Sequence, residues 1–169
     1  MQQSKTALKS ETFEGTQPKI VHLSGSYEAF GMVMDYLSRS ELYTGFELGN
    51  LSKAIRRQLR LGHHVAAVLG DQMVGYAGWL ITSREIAEAW KEGKGVLKTD
   101  PNGKADAAAL TIVAVTDPRA TPGLIRRARQ LNPGTRVYFK REYQDAALRG
   151  ARKASVLNFG PARAPEPNS

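Results

Sequence analysis

The chain is 169 residues long and 41% apolar, the size and content of one ordinary domain with a buried core. It lacks cysteine, which excludes disulfides and a thiolate nucleophile. Its 24 Lys and Arg outnumber 16 Asp and Glu for a net charge of +8, which points to an acidic partner, and no apolar run approaches the ~20 residues that span a bilayer.

Residues 1–18 are polar, with Lys5 and Lys9 but no apolar stretch behind them, so a disordered tail is expected and a signal peptide is not. From Ser26 to Arg39, Phe30, Val33, Met34 and Leu37 recur at the i, i+3, i+4, i+7 spacing of an amphipathic helix. Leu48, Leu51, Ile55 and Leu59 repeat that spacing in a second helix, which carries Lys53, Arg56, Arg57 and Arg60 opposite and stops at Gly62. The period then changes. His64 to Leu69 and Met73 to Ile81 read as strands of an antiparallel hairpin turned by Gly70-Asp71. Gly75 and Gly78 leave little bulk on the second strand, which fits either close helix packing or backbone approach to a ligand.

Thr82-Ser83-Arg84-Glu85 fits a capping box, opening a helix that runs to about Trp90 and buries Ile86, Ala89 and Trp90. Residues 91–104 form a turn-rich loop. Ala107 to Val115, apolar on both faces, is the candidate central strand. Thr121-Pro122 predicts a helix with Thr121 as N-cap, turning Leu124, Ile125, Ala128 and Leu131 inward and stopping at Asn132-Pro133-Gly134. Arg136 to Lys140 and Ala154 to Phe159 read as final strands, and the Pro-rich residues 160–169 as a second disordered tail. One α/β (α+β) domain over residues 19–159 follows. Its mixed, mostly antiparallel sheet flanked by helices is the architecture of GNAT-like N-acyltransferases.

The segment from Met73 to Trp90, VGYAGW followed by a helix bearing an aromatic, resembles the RTX toxin-activating lysine acyltransferases, whose hairpin has a V-A-Y-x-S-W strand. Ser40-Glu41-Leu42-Tyr43 stands where that family has Ser-x-Leu-His, at the family's interval from Trp79. NPGTRVYFKREY matches its late strand, followed by a basic tail, so the resemblance covers roughly residues 20–158. It implies transfer of a fatty acyl group to a protein lysine from the phosphopantetheine thioester of acyl carrier protein, with no tightly bound cofactor. The implied catalytic pair is absent: the base is replaced by Tyr43, and no carboxylate lies in Thr111 to Val115, around Val113, where the family's Asp aligns. Of the residues thought to matter, Ser40 carries over and Trp90 keeps an aromatic in place.

Acyl transfer to a lysine needs a base and a stabiliser of the developing oxyanion. Tyrosine titrates near ~10, so Tyr43 serves better as an acid toward a thioester leaving group than as a base; the alternative is an aromatic plugging the old pocket. Asp117 or Asp106, flanking the central strand, would replace the carboxylate, although Asp117 before Pro118 also suits a turn cap. Gly75, Gly78, Trp79, Trp90, Arg136, Lys140 and Arg141 are the expected substrate-binding residues, the glycines lining an acyl groove. His22, His63 and His64 read as ordinary residues, with His63 and His64 at a surface turn, and no metal site is expected from three His without Cys. The acetyltransferase pyrophosphate loop, Arg/Gln-x-x-Gly-x-Gly/Ala before a helix, does not occur where it belongs; Leu148 to Arg152 only echoes it.

Arg126, Arg127 and Arg129; Arg136, Lys140 and Arg141; and Arg149, Arg152 and Lys153 repeat the basic clustering of the second helix. Each cluster reads as a solvated face or a dock for an acidic protein such as acyl carrier protein. Three functions compete. One is a cytosolic acyltransferase with rearranged catalysis. Another is a non-catalytic relative acting as a binding module or assembly subunit, with a homodimer left open. The third is a nucleic-acid binder, which charge alone supports apart from a base-stacking role for Tyr138 or Phe139.

Overall fold

A computed structural model describes residues 17–140 and 154–158; Arg141, the Arg149, Arg152 and Lys153 cluster, Phe159 and nearly all of both predicted tails lie outside them. In chain order the elements are β1 (Lys19–Val21), α1 (Tyr27–Ser38), α2 (Leu48–Leu61), β2 (His64–Leu69), β3 (Gln72–Thr82), α3 (Arg84–Lys91), β4 (Ala107–Val115), a 3₁₀ turn (Pro118–Ala120), α4 (Thr121–Leu131), β5 (Arg136–Lys140) and β6 (Ala154–Asn158). The strands form one sheet in sequential order. Neighbours are antiparallel except β4 and β5, which are parallel and joined through α4, the crossover that parallel neighbours require. The GNAT-like reading of the sequence describes this mixed sheet with its flanking helices.

Local chemistry explains most boundaries. Ser26 caps α1, its hydroxyl accepting from the Ala29 N–H at 3.2 Å. Gly62 ends α2 in the left-handed region, at φ 70°, where a side chain would be strained. Gly70, at φ 63°, turns the hairpin between β2 and β3.

Alternation along the strands sorts side chains onto two faces. Ala66, Tyr76 and Ile112 meet Val33, Leu37, Ile55 and Leu59 beneath α1 and α2. Val65, Ala67, Ala77, Trp79 and Ala108 meet Leu124 of α4 on the opposite face. Each fully buried Leu or Ile contributes about 2 kcal/mol to this core. A smaller cluster sets Ala87 and Trp90 of α3 against Ala107 and Tyr138.

Several expectations are corrected. Strand β1 was not foreseen: its three residues are too short to show a period. The capping box at Thr82 does not form. Thr82 instead donates its hydroxyl to the Lys98 carbonyl at 2.7 Å, Ser83 takes the N-cap position, and the first helical amide, Arg84 N–H, is satisfied by Asp106 at 2.9 Å. Thr121 is the first residue of α4 rather than its cap, because the 3₁₀ turn capped by Asp117 runs into the helix. Ile125 and Leu131 face outward, at 42% and 36% exposure, since α4 rests on the sheet through Leu124 and Ala128.

Candidate functional site

The site implied by the sequence includes Tyr43 and the stretch 111–115 where the family's Asp aligns, and the fold brings these together. After α1 the chain descends through tight turns, with Tyr43 N–H donating to the Ser40 carbonyl at 2.9 Å and Phe46 N–H to that of Tyr43 at 3.1 Å. These turns drop the Tyr43 ring into the α1/α2 core, 7% exposed. Its hydroxyl then meets β4 at one residue: it donates to the Val113 carbonyl at 3.0 Å and accepts from the Val113 N–H at 2.9 Å.

Two features of β4 expose that backbone. Its pairing with β5 ends at Leu110, opposite Phe139, so the edge of β4 beyond that point has no strand partner from β5. A bulge opposite Gly78 and Trp79, whose partners jump from Ile112 to Leu110, leaves Thr111 unpaired. Tyr43 therefore closes the part of the edge where β4 and β5 diverge. The phenol is buried, not open to solvent. Ser40 enters through its backbone, which forms the turn beneath Tyr43.

The other candidates are dispersed. The Asp117 carboxylate accepts from the Arg119 N–H at 3.0 Å and pairs with its guanidinium at 2.7 Å, which holds its pKa below the usual carboxylate range. It caps a turn, as its position before Pro118 allowed. Asp106 is likewise occupied, by Arg84 and Lys104. A Cβ on Gly75 would lie 2.9 Å from Leu124 Cδ1, and one on Gly78 only 2.0 Å from Gln58 Oε1. Both glycines thus allow close helix packing, against α4 and α2 respectively. Trp79 is buried under α4. Trp90 packs at the α3–β5 contact, where Arg136 lies 3.7 Å from Glu88. Lys140 ends β5, and Arg141 is outside the described residues.

The main feature missed by the sequence reading is a buried polar network under α2. Tyr76 donates to Gln58 Oε1 at 3.0 Å, Gln58 Nε2 donates to Thr111 Oγ1 at 2.8 Å, and His64 Nδ1–H donates to the Gln58 carbonyl at 3.1 Å. His64 Nε2 accepts from the Leu23 N–H at 3.0 Å, which fixes the neutral tautomer, and His22 stacks on its ring at 4.3 Å. The expectation that His64 lies at the surface is corrected: it is 0% exposed, and burial brings its pKa down to about 4. Burial also raises the Tyr76 pKa, so both groups stay neutral and hold α2 to the sheet. A signal existed in the sequence. Gln58 occupies an inward position beside Leu59 and three residues after Ile55, and a polar residue there needs a partner.

No family model matches the chain, and no curated protein matches it. Solved structures do. A GNAT-family acetyltransferase candidate from Desulfovibrio desulfuricans superposes with a TM-score of 0.51 at 14% identity, over 79% of each chain. The fold is GNAT-like. The loading GNATL domain of CurA from Lyngbya majuscula gives a TM-score of 0.49 at 12% identity, over 78% of this chain and 68% of that one. The PaiA N-acetyltransferase of Thermoplasma acidophilum, solved with coenzyme A, gives 0.44 at 11% identity, over 78% and 84%.

A pyrophosphate-bearing donor such as coenzyme A needs free amides at the start of the helix after the central strand, here α4. They are taken. Ala120 N–H donates to the Asp117 carbonyl at 3.0 Å, Thr121 N–H donates to that of Pro118, and Pro122 has no N–H. Ala120, Thr121 and Pro122 thus offer no free amide to coenzyme A bound in that manner. Among the described residues no helix is long and apolar enough to cross a membrane.

Proposed function

We propose that the chain is a divergent relative of the toxin-activating lysine acyltransferases that retains recognition of an acidic carrier protein without the base–carboxylate chemistry, acting as a cytosolic binding or assembly subunit. One observation carries the reading. Position 43, where the resemblance places the catalytic His, is in direct contact with Val113, which lies in the stretch 111–115 where the family's Asp aligns, 70 residues on in sequence. That adjacency supports the kinship, and the groups present oppose the reaction. A buried phenol that donates to a backbone C=O and accepts from a backbone N–H is engaged with β4 rather than aimed at a lysine ammonium. Val113 brings no carboxylate to orient a base.

The carrier, with its phosphopantetheine thioester, is the acidic partner of this proposal, matched to the net charge of +8. A second reading keeps catalysis, with the Tyr43 hydroxyl as the acid that protonates the thiolate leaving group; the fixed position of that hydroxyl on β4 favours it. The two part on a repair experiment. Tyr43→His combined with Val113→Asp is expected to gain acyl release from, or lysine transfer by, an acylated carrier protein, measured by intact mass, while the parent chain leaves the carrier acylated. Turnover by the parent chain that disappears in Tyr43→Phe would establish the second reading instead.

A further inference from the structure

We propose that the outer face of α2 is the docking surface for an acidic helix of a protein partner. Lys53, Arg56, Arg57 and Arg60 stand at i, i+3, i+4 and i+7, a single face about 10 Å long. All four are exposed, and α2 contains no Asp or Glu. Among the described residues no carboxylate pairs with any of them, whereas Arg39, Arg84, Lys94, Lys104, Arg119 and Arg136 all have acidic partners. Arg56 is also held in place, its guanidinium 5.0 Å from the Phe30 ring and 5.9 Å from that of Tyr27. Tyr27 is 82% exposed at the start of α1. An exposed aromatic beside a stacked arginine is the pairing that anchors protein interfaces.

The geometry selects the class of partner. A helix with carboxylates at the same spacing would oppose the four cations along their length. An anionic membrane fits less well, because Leu51, Ile55 and Leu59 of α2 are buried in the core and only Leu48 and Leu61 at its two ends are exposed. Nucleic acid loses one of its two expected stacking residues: Tyr138 is 0% exposed and donates its hydroxyl to Glu88 at 2.9 Å. The assignment rests on the preceding reading only for the identity of the partner as a carrier protein.

Binding is measured by calorimetry with two probes, holo acyl carrier protein and a synthetic helical peptide bearing Glu at i, i+3, i+4 and i+7. Arg56→Glu with Arg60→Glu is compared with a control reversal on α4, Arg126→Glu with Arg127→Glu, after circular dichroism confirms that each variant is folded. The α2 reversal is expected to weaken both probes by about tenfold or more and the control to change them far less. Loss of carrier binding on the control reversal alone, or indifference to the α2 reversal, would overturn the surface. If the parent chain binds the peptide through α2 but ignores the carrier, the carrier reading fails and the surface stands. If it binds neither, or binds duplex DNA or anionic vesicles more tightly through α2, the proposal fails.

Discussion

Acidification should destabilise the fold in a defined window because of His64. Both ring nitrogens are engaged, Nδ1–H with the Gln58 carbonyl and Nε2 with the Leu23 N–H, and a second proton would set two N–H groups against each other. Burial is the largest cause of the fall in its pKa to about 4, and the bond to the Gln58 carbonyl offsets only part of it. In the unfolded chain the same group titrates near 6.5. The unfolded state therefore binds more protons between these values, so stability is complete above about pH 6.5 and falls as the pH drops toward 4. The difference corresponds to about 3 kcal/mol in all. His63, whose pKa is also lowered by burial and by Arg57, acts in the same direction. Urea unfolding followed by circular dichroism at pH 7.5, 5.5 and 4.5 reads the loss directly, and His64→Gln should flatten most of it. A stability that stays level from pH 6.5 to 4, or a His64 proton resonance that titrates near its ordinary value in the folded protein, would refute this reasoning.

Gly78→Ala should cost about 3 kcal/mol, because the new methyl displaces Gln58 and leaves Tyr76 and Thr111 without their partners. In chemical denaturation its effect combined with Gln58→Ala should fall well short of the sum, and additive losses would count against the contact. Tyr43→Phe keeps the ring and removes both bonds to Val113, so a loss of about 1 kcal/mol and faster hydrogen exchange at the Val113 amide are expected; unchanged exchange would mean the bonds are not made.

Helical spacing located α1 and α2, since Val33 and Leu37, like Leu51, Ile55 and Leu59, each lie on one buried face. The hairpin followed from Gly70-Asp71 between two apolar runs. What stayed hidden depends on partners distant in sequence. The cap on α3 comes from Asp106, 22 residues downstream, so the local Thr82–Glu85 pattern could not reveal it. His64 looked like a turn residue because its burial is created by β1, a strand too short to recognise, whose following residues His22 and Leu23 cover it. The choice between packing and ligand approach at Gly78 required knowing that Gln58 points at it. The candidate site divides similarly. Position 43 and the stretch 111–115 were paired by the resemblance, yet only the turn through Ser40 and the divergence of β4 from β5 explain why a phenol ends on a backbone edge.

The most direct measurement is the fate of an acyl chain on carrier protein mixed with the unaltered chain. Acylated carrier is incubated with it and a lysine-bearing acceptor, then weighed intact by mass spectrometry alongside a binding titration in low and high salt. The account predicts salt-sensitive binding with the acyl group still on the carrier after prolonged incubation. Acyl loss or transfer that requires the Tyr43 hydroxyl would contradict it.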